Sequence, residues 1–580
     1  MSQSDRYTSA HFFLEGLSET GVQYVFSNFG TDHVSLIEEL ARWDSIGKPH
    51  PQFILCPHEN VAIHMAAGFA ALTGQGQAVV VHVDAGTANA AMGMHNMFRG
   101  RLPVLLIAGK TPFTLRGELP GSRDNYVHFV QDPFDIASLV RPYVKWEYSL
   151  PSGVIAKEVL RRAHSVMQSD PQGPVYLTLP RETLAEEVAK EKVGSFSAER
   201  YGAVQACGID EARVLAIATK LLNAKSPLVV TSYLGRKAEA VEALQDLAML
   251  CGIRVFEFSP TYLNISRASP CFGGFDATQA LVSTDLGLLL DVDVPWLPKF
   301  TQESADTHWV HIDVDAIKKD FPMWGFVSHD RIQADCATVL KQVAQCVRRL
   351  ATPVFNASVT QRIAGWSKAN EQRAENVAKA SSNAGASNAI SSAYLCSELG
   401  KAIAANDVVI NEAIRNSPVV LNQIHRTEAM SLVGGAGGGL GYSGGMALGA
   451  ALALKTAKSK ARVIQIVGDG GFHFSTPTSV YATAQRYGLP IFTVILDNGG
   501  WQAVKEAVLR VYPDGAAAQA NEFQARLQGE QRRFEQVAQA FGAYGEYLSD
   551  PKEVPAAIAR CLHAVDEGRA AVLNVQIGLQ

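Results

Sequence analysis

Two short polar segments near the carboxyl end of the chain carry oxygen ligands suited to a metal ion. An apolar, β-branched run predicts a buried strand that ends at 468–471, Gly-Asp-Gly-Gly, and a second such run ends at 497–500, Asp-Asn-Gly-Gly. In a parallel sheet both ends lie at one edge, where open α/β sheets bind ligands. Asp469, the Asn498 amide and a backbone carbonyl would suit Mg²⁺ held with a diphosphate. A tight strand-to-helix turn with a capping Asp is the structural alternative.

A second group of candidate residues lies in the first hundred residues. Glu59 follows a predicted strand and precedes an Ala- and Gly-rich helix, whose dipole would stabilise a carboxylate at that position. His82 ends the next predicted strand, so it lies at a strand end like Glu59. Each residue also has a structural explanation, a helix-terminal carboxylate for Glu59 and a hydrogen-bonded structural histidine for His82.

The elements that must position these residues alternate between strand and helix along nearly the whole chain. Such alternation predicts parallel, doubly wound sheets. We predict an α/β protein with three such domains at 1–186, 205–355 and 393–580. A polar linker is expected at 187–205, and the Ala-, Ser- and Asn-rich run 380–389 is expected to be a flexible connector.

Composition excludes several classes of protein. The 580 residues are 47% hydrophobic and 18% charged, which is typical of a well-packed enzyme rather than a disordered chain. The net charge of −5 gives no basic footprint for nucleic acid. The sequence has neither an apolar run long enough for a membrane span nor a visible secretory signal, and its eight cysteines are scattered. A cytoplasmic protein with no membrane or nucleic-acid partner is expected.

Two motifs resemble a known enzyme family. The segment 56–70, with Glu59 inside it, resembles the pyrimidine-binding segment of the thiamine-diphosphate enzymes of the acetolactate synthase and benzoylformate decarboxylase superfamily. The Gly-Asp-Gly at 468–470, followed some two dozen residues later by 497–498, resembles the family's metal and diphosphate signature. Asp497 departs from the family's usual Asn-Asn pair. The resemblance implies thiamine diphosphate and Mg²⁺ as cofactors, with Asp469, Asn498 and the Gly500 carbonyl as metal ligands.

The same resemblance assigns residues around the cofactor. Glu59 would hydrogen-bond the aminopyrimidine ring and so help to generate a C2 ylid. In the segment 437–441, Leu440 would support the bent cofactor and the Gly438 carbonyl would accept its exocyclic amine. Arg415 stands where the family often has a hydroxyl, so the phosphate contacts are less defined. The predicted cofactor-binding residues are Thr31, Glu59, Gly438, Leu440, Gly468, Gly470, Gly471 and Trp501.

The candidate substrate-side residues are a mosaic of two activities. The segments 80–87 and 141–148 resemble benzoylformate decarboxylase, in which a histidine matching His82 handles the protons of bound intermediates. Gln131 instead lies close to the position of an active-site glutamine in acetolactate synthases. A second catalytic histidine of benzoylformate decarboxylase has no clear match. Glu59, His82 and Gln131 are therefore the predicted catalytic residues.

The resemblance implies a 2-oxo acid decarboxylase or carboligase that acts on a small molecule through a C2 ylid and an enamine. A homodimer or homotetramer with active sites between subunits is expected. One alternative is an FAD-containing acetolactate synthase or a pyruvate-oxidase-like enzyme, in which the strand-end turn 232–237 would meet the nucleotide. A second alternative is a non-catalytic paralogue that binds the cofactor. Phe29, Trp296 and Trp501 could line a pocket for a bulky acyl group, or lie in the core.

Overall fold

The computed structural model describes residues 6–195, 197–527 and 532–578. Three six-stranded sheets dominate it, and every strand pairing within these three sheets is parallel. Helices separate most of the consecutive strands of each sheet along the chain. The architecture confirms the predicted α/β class with several doubly wound parallel sheets.

The first sheet uses the amino-terminal third of the chain, in the order β3-β2-β4-β5-β7-β6. Its β4 and β7 are buried along their whole length, as strands covered on both faces must be. The strands of this region are β1 (Arg6–Thr8), β2 (Tyr24–Ser27), β3 (Gln52–Leu55), β4 (Gln77–Val81), β5 (Val104–Lys110), β6 (Glu147–Ser149), β7 (Val175–Pro180) and β8 (Glu187–Ala189). The helices are α1 (Ser9–Glu19), α2 (Val34–Ser45), α3 (Glu59–Thr73), α4 (Val83–Gly100), α5 (Val127–Val130), α6 (Ala156–Gln168) and α7 (Arg181–Ala185). Strands β1 and β8 form a separate antiparallel pair.

The middle sheet has the order β11-β10-β9-β12-β13-β14. Its strands are β9 (Pro227–Thr231), β10 (Arg254–Glu257), β11 (Phe272–Gly274), β12 (Leu286–Leu290), β13 (His308–Asp313) and β14 (Asp330–Gln333). The helices are α8 (Glu211–Asn223), α9 (Ala238–Cys251), α10 (Thr278–Leu281), α11 (Cys336–Leu350) and α12 (Pro353–Ser381).

The segment between the middle and third sheets is more regular than its composition suggests. Helix α12 is 29 residues long and buries only Phe355 and Val359, both in its first two turns. Phe355 and Val359 pack into the core of the middle sheet, and the Ala, Lys, Glu and Gln residues that follow favour a helix by their intrinsic propensity. The expected connector at 380–389 contains the end of α12 and a short hairpin of β15 (Gly385–Ala386) and β16 (Ala389–Ile390).

The third sheet has the order β18-β17-β19-β20-β22-β21. Its strands are β17 (Val408–Glu412), β18 (Leu432–Gly434), β19 (Val463–Gly468), β20 (Phe492–Asp497), β21 (Tyr544–Leu548) and β22 (Ala571–Gln576). The helices are α13 (Ser392–Ala402), α14 (Ser417–Gln423), α15 (Ser443–Thr456), α16 (Asp469–Phe474), α17 (Pro477–Tyr487), α18 (Gln502–Val511), α19 (Ala516–Ala520), α20 (Phe534–Gln539) and α21 (Val554–Asp566).

Each sheet reverses its winding direction between two neighbouring strands. These neighbours are β2 and β4 in the first sheet, β9 and β12 in the second, and β17 and β19 in the third. Loops at the carboxyl ends of such neighbours leave in opposite directions and open a crevice where ligands bind. The fold therefore offers three candidate crevices, one for each sheet.

Helices α3 and α15 join the first and third sheets through a backbone contact. Both helices are almost wholly buried and rich in Ala and Gly. A Cβ atom added to Gly68 would lie 2.1 Å from the Met446 carbonyl oxygen, and one added to Gly449 would lie 2.0 Å from that of Met65. Only glycine permits this approach, so the two helices fix the relative position of the sheets.

Within the described ranges, no helix is both long enough and apolar enough to cross a membrane.

We expect Gly449→Ala to destabilise the fold by about 1–3 kcal/mol, because the new methyl group would overlap the Met65 carbonyl oxygen. Gly365→Ala is the matched control, since Gly365 also lies within a helix but has open space at its Cβ position. That variant should be unchanged or up to about 1 kcal/mol more stable. Unfolding of both variants by heat and by urea provides the measurement. Equal stability of the two would contradict the backbone contact.

Candidate active site

Glu59 is the first residue of α3, at the carboxyl edge of the first sheet. His58 caps the helix by accepting a hydrogen bond from the Asn60 N–H (3.0 Å). The Glu59 carboxylate is only 8% exposed, and its Oε2 accepts a hydrogen bond from the Asn89 side chain (3.0 Å). Asn89 lies on α4 and was not singled out from the sequence, where no local motif links it to Glu59.

Glu59 and His82 both border the first turn of α4. His82 directly precedes α4, and the Gly86 N–H donates to the His82 carbonyl oxygen (2.7 Å). A Cβ atom added to Gly86 would lie 3.3 Å from Glu59 Oε1, so the carboxylate lies directly over this turn. The structure thus brings together two of the three predicted catalytic residues.

Gln131, the third predicted catalytic residue, also contacts His82. The His82 Nε2 and Gln131 Oε1 atoms are 2.9 Å apart. The other ring nitrogen, Nδ1, is hydrogen-bonded to the buried carboxylate of Asp32, which raises the pKa of His82. Thr31 lies next to Asp32, and its hydroxyl is 3.2 Å from His128 Nε2. Thr31 in this turn was predicted from the sequence and Asp32 was not, although a carboxylate after the end of β2 was a visible signal.

The predicted cofactor-supporting loop, 437–441, lies against two helices that pack on the first sheet, α3 and α4. Asn96 of α4 exchanges two hydrogen bonds of 3.1 Å with the backbone of Gly439. The Asn60 amide donates to the carbonyl oxygens of Gly441 and Phe474 (both 3.2 Å). Two neighbouring helices of the first unit, α3 and α4, therefore hold this loop in place.

Within that loop, the two residues predicted to touch the cofactor remain accessible. Gly438 is exposed, nothing lies within 4 Å of its Cβ position, and its N–H donates to His95 Nε2 (3.2 Å). The neighbouring Leu440 is partly buried. Both residues are free to meet a ligand that enters between the units.

A buried carboxylate anchors the end of the same loop. Glu412, at the end of β17, accepts hydrogen bonds from the Ser443 N–H (2.9 Å) and hydroxyl (2.5 Å) and from the Gly441 N–H. It is 1% exposed, and burial raises its pKa to about 7. No role for Glu412 was predicted from the sequence, because its partners lie some thirty residues further along the chain.

Asp469 joins the ends of β19 and β20. Its Oδ1 accepts the Gly470 N–H and its Oδ2 accepts the Gly499 N–H, both at 2.9 Å. The Asn498 side chain oxygen accepts the Gly500 N–H (3.2 Å). All three predicted metal ligands, Asp469, Asn498 and Gly500, therefore lie on two interlocked turns.

The predicted glycines around Asp469 keep these turns close to their neighbours. A Cβ atom on Gly470 would lie 2.4 Å from Trp501 Nε1, and one on Gly471 would lie 3.3 Å from the Glu412 carboxyl carbon. Gly468 has no atom within 4 Å of its Cβ position. Trp501 thus covers the turn, whereas Gly468 leaves one side of it open.

Asp497 adds a second carboxylate to these turns and forms an ion pair with Arg532. Arg532 donates to Asp497 Oδ1 from Nε (2.9 Å) and Nη2 (2.7 Å). Burial, followed by the nearby charge of Asp497, raises the pKa of Asp469. The two buried carboxylates form an oxygen-rich cluster of the kind that fits a divalent cation.

A cavity of about 670 Å³ opens beside these turns. Its lining includes Asn498, Trp501, Lys505, Arg526 and Arg532. Arg415, which stands where the family often has a phosphate-binding hydroxyl, contacts Glu506 of α18.

The other two aromatic candidates lie among aromatic neighbours. Trp296 is buried against Trp309 in the middle unit, with ring centroids 5.1 Å apart. Phe29 stacks on Phe53, with ring centroids 5.7 Å apart. Trp501 alone of the three lines this cavity.

The crevice of the middle sheet is filled by the chain's own charged side chains. The Tyr233 hydroxyl, in the turn after β9, donates to Asp313 (2.5 Å) and lies 2.7 Å from Lys318 Nζ. Lys318 also binds Asp293 (2.8 Å), which pairs with Arg101 at the end of α4 (2.7 Å). A dinucleotide at this edge would have to displace a buried ionic cluster, so the residues at 232–237 do not fit FAD.

The residues at the other two crevices fit the predicted cofactors. Glu59 presents a buried carboxylate at the start of α3. The accessible Gly438 lies on the loop 437–441, which contacts α3 and α4. The Asp469 cluster supplies hard oxygen ligands, in turns where glycines allow a close approach. A bent, diphosphate-bearing cofactor with Mg²⁺ matches this distribution.

Models of one enzyme family match two regions of this chain. The family described as thiamine pyrophosphate enzyme, N-terminal TPP binding domain, matches residues 7–139, and its C-terminal TPP binding domain matches 416–575. These two matches together span about half of the chain.

Relatives of known activity cover most of the chain. The isozyme 3 large subunit of acetolactate synthase from Escherichia coli K12 is 23% identical over 98% of this chain and 95% of its own. Benzoylformate decarboxylase from Pseudomonas aeruginosa is 23% identical over 85% of this chain and 86% of its own.

Among solved structures, the fold is shared by the thiamine diphosphate-dependent 4-hydroxybenzoylformate decarboxylase of Rhodococcus jostii RHA1. The TM-score is 0.77 at 18% identity, covering 99% of this chain and 100% of the other. With both thiamine pyrophosphate domains matched in order, the chain belongs to the thiamine-diphosphate-dependent enzymes of the acetolactate synthase and benzoylformate decarboxylase superfamily.

Proposed function

We propose that the protein is a thiamine-diphosphate- and Mg²⁺-dependent 2-oxo acid decarboxylase or carboligase. The observation that carries this proposal is that Glu59 and His82 border the same turn at the start of α4, while Gln131 contacts His82. The relatives named above are acetolactate synthases and benzoylformate decarboxylases, which act on 2-oxo acids. A histidine at the decarboxylase position beside a glutamine near the synthase position supports a site able to release an aldehyde or to join it to a second carbonyl.

When bound, thiamine diphosphate supplies a carbon nucleophile that adds to the keto carbon of the substrate. Glu59 would hold the aminopyrimidine ring through a hydrogen bond, in a position fixed by Asn89. The Gly438 carbonyl would accept the exocyclic amine, and Leu440 would support the bend that brings this amine near the reacting carbon. Asp469, Asn498 and the Gly500 carbonyl would hold Mg²⁺ against the diphosphate.

His82 and Gln131 would act on the substrate side. His82 has a raised pKa, so at neutral pH it holds a proton more readily than an ordinary histidine does. Its Nε2 edge would face the carboxylate or the nascent alkoxide of the substrate, with the Gln131 amide as a second polar contact. We propose no flavin for this chemistry, because the crevice of the middle sheet is filled by Tyr233, Lys318 and their partners.

We further propose a homodimer or homotetramer with each site completed by a second subunit. The segment that carries Gln131 exposes large apolar side chains, with Tyr126, Phe129 and Val130 each more than half exposed. A contiguous apolar surface of this kind marks an interface. A second copy covering it would also close the site to water.

Glu59→Gln should lower kcat by about 10²- to 10⁴-fold on every accepted substrate, since the amide cannot play the carboxylate's part in proton transfer. Glu38→Gln is the control, because Glu38 lies on the exposed side of α2 in the same unit. The measurement is turnover on a panel of aliphatic and aromatic 2-oxo acids, with CO₂, aldehyde and acyloin products quantified. Normal turnover of Glu59→Gln would rule out its assigned role.

Asp469→Asn should weaken cofactor binding at least about tenfold in the presence of Mg²⁺, because it removes the charged ligand of the proposed metal site. Calorimetric titration with thiamine diphosphate, with and without Mg²⁺, measures this. The exposed Asp514→Asn serves as the control and should bind as the wild type does. If Mg²⁺ strengthened binding equally in wild type and Asp469→Asn, the metal would lie elsewhere.

Coexpression of differently tagged Glu59→Gln and Asp469→Asn chains tests the shared site. If each site takes Glu59 from one subunit and Asp469 from another, a mixed dimer has one intact site and about half of the wild-type activity. If each chain builds its own site, both sites of the mixed dimer carry a substitution and it stays inactive. Doubly affinity-purified mixed dimers, assayed against each homodimer, give the result.

A further inference from the structure

The turn after β2 places a buried carboxylate against the ring of His82. Asp32 is 1% exposed, and its Oδ1 accepts a hydrogen bond from His82 Nδ1. The His82 side chain is 22% exposed, so part of the ring remains accessible. Asp32 follows β2 and His82 follows β4, so the pair lies at the crevice between these two neighbouring strands.

Two glycines make this contact possible. A Cβ atom added to Gly30 would lie 1.9 Å from His82 Nδ1, and one added to Gly109 would lie 1.3 Å from Asp32 Oδ2. Any larger residue at either position would occupy the space of the carboxylate or the ring. Glycine at both positions therefore leaves room for the contact between Asp32 and His82.

The opposite edge of the ring is also held. The His82 Nε2 atom lies 2.9 Å from Gln131 Oε1, and the Gln131 backbone carbonyl accepts a hydrogen bond from the Thr111 hydroxyl. Each ring nitrogen thus faces an acceptor. Both nitrogens carry a hydrogen only in the charged imidazolium, so that form satisfies both partners at once.

The charged and titratable groups around His82 come from several elements. Asp32 and His33 lie in the turn before α2, Asp84 in the first turn of α4, and His128 on α5. His33 is fully buried, and burial lowers its pKa, so it remains neutral. The pKa of His82 is raised chiefly by its hydrogen bond to Asp32, and only slightly by the partly exposed Asp84.

We propose that Asp32 is a positioning residue that fixes the His82 ring with its Nε2–H directed toward Gln131 and the substrate. This inference rests on the proposed function, in which His82 acts on the bound 2-oxo acid. Asp32 does not touch the substrate. It sets the orientation of His82 and favours the charged form, so that a positively charged ring lies beside the substrate carboxylate at neutral pH.

The test uses the holoenzyme with ¹³C-labelled histidine, followed by NMR titration of the ring signals. His82→Asn identifies the His82 signal by its loss. In the wild type, His82 should titrate above the ordinary value of about 6.5. In Asp32→Asn, which keeps the shape of the side chain and removes its charge, the ring should bind its proton about tenfold more weakly.

Asp84→Asn is the matched control. It removes a carboxylate near the same ring that is not hydrogen-bonded to it, so the proton affinity of His82 should change less than about twofold. A wild-type His82 that titrates below 6.5, or equal effects of the two substitutions, would overturn the proposal. The wild-type titration requires no variant to fold, and both NMR readouts require no turnover, so they stand even if no 2-oxo acid proves to be a substrate.

A kinetic measurement separates positioning from a purely structural role. Since His82 is charged below its pKa, weakening its proton affinity moves the loss of the charged form to lower pH. The alkaline limb of the kcat profile in Asp32→Asn should therefore shift toward acid by about as much as the NMR midpoint, with thiamine diphosphate affinity unchanged. An unshifted profile with a uniformly lower kcat would show that Asp32 only stabilises the fold.

Discussion

The contact between the backbones of α3 and α15 is the constraint on which the candidate site depends. Glycines at Gly68 and Gly449 allow carbonyl oxygens of the opposite helix to occupy the space of a missing side chain. Glu59 begins one helix, and the loop 437–441 leads into the other. A shift between the two helices would therefore separate the carboxylate from the loop, although neither makes the contact itself.

Winding reversal explains why the polar residues collect where they do. Asp32, Glu59 and His82 follow three neighbouring strands, β2, β3 and β4. Glu412 and Asp469 follow β17 and β19 in the same way. The middle sheet repeats the pattern, but Tyr233 and Lys318 close its crevice with a cluster of ion pairs. The first and third sheets thus keep candidate crevices for a ligand, whereas the crevice of the middle sheet is filled by side chains.

Much of this arrangement could be predicted from the sequence. The fold class followed from the alternation of strands and helices, and Glu59, Asp469 and Asn498 lie in short motifs that local reasoning can detect. Asn89 and Glu412 could not be given roles, because their partners are distant in the chain. Asp32 was overlooked since its role depends on His82 lying beside it, which only the strand order β2-β4 brings about. Helix α12 was also missed, because its second half is largely exposed and carries few large apolar residues to mark a helical period.

Helix α4 connects features that the fold otherwise keeps apart. It is an 18-residue rod about 27 Å long. Its first half bears Asn89, the partner of Glu59, and Arg101 follows its last residue, paired with Asp293 of the middle unit. The ion pair between Arg101 and Asp293 therefore anchors the carboxyl end of α4 to the middle sheet, and so helps to fix the helix whose Asn89 holds Glu59.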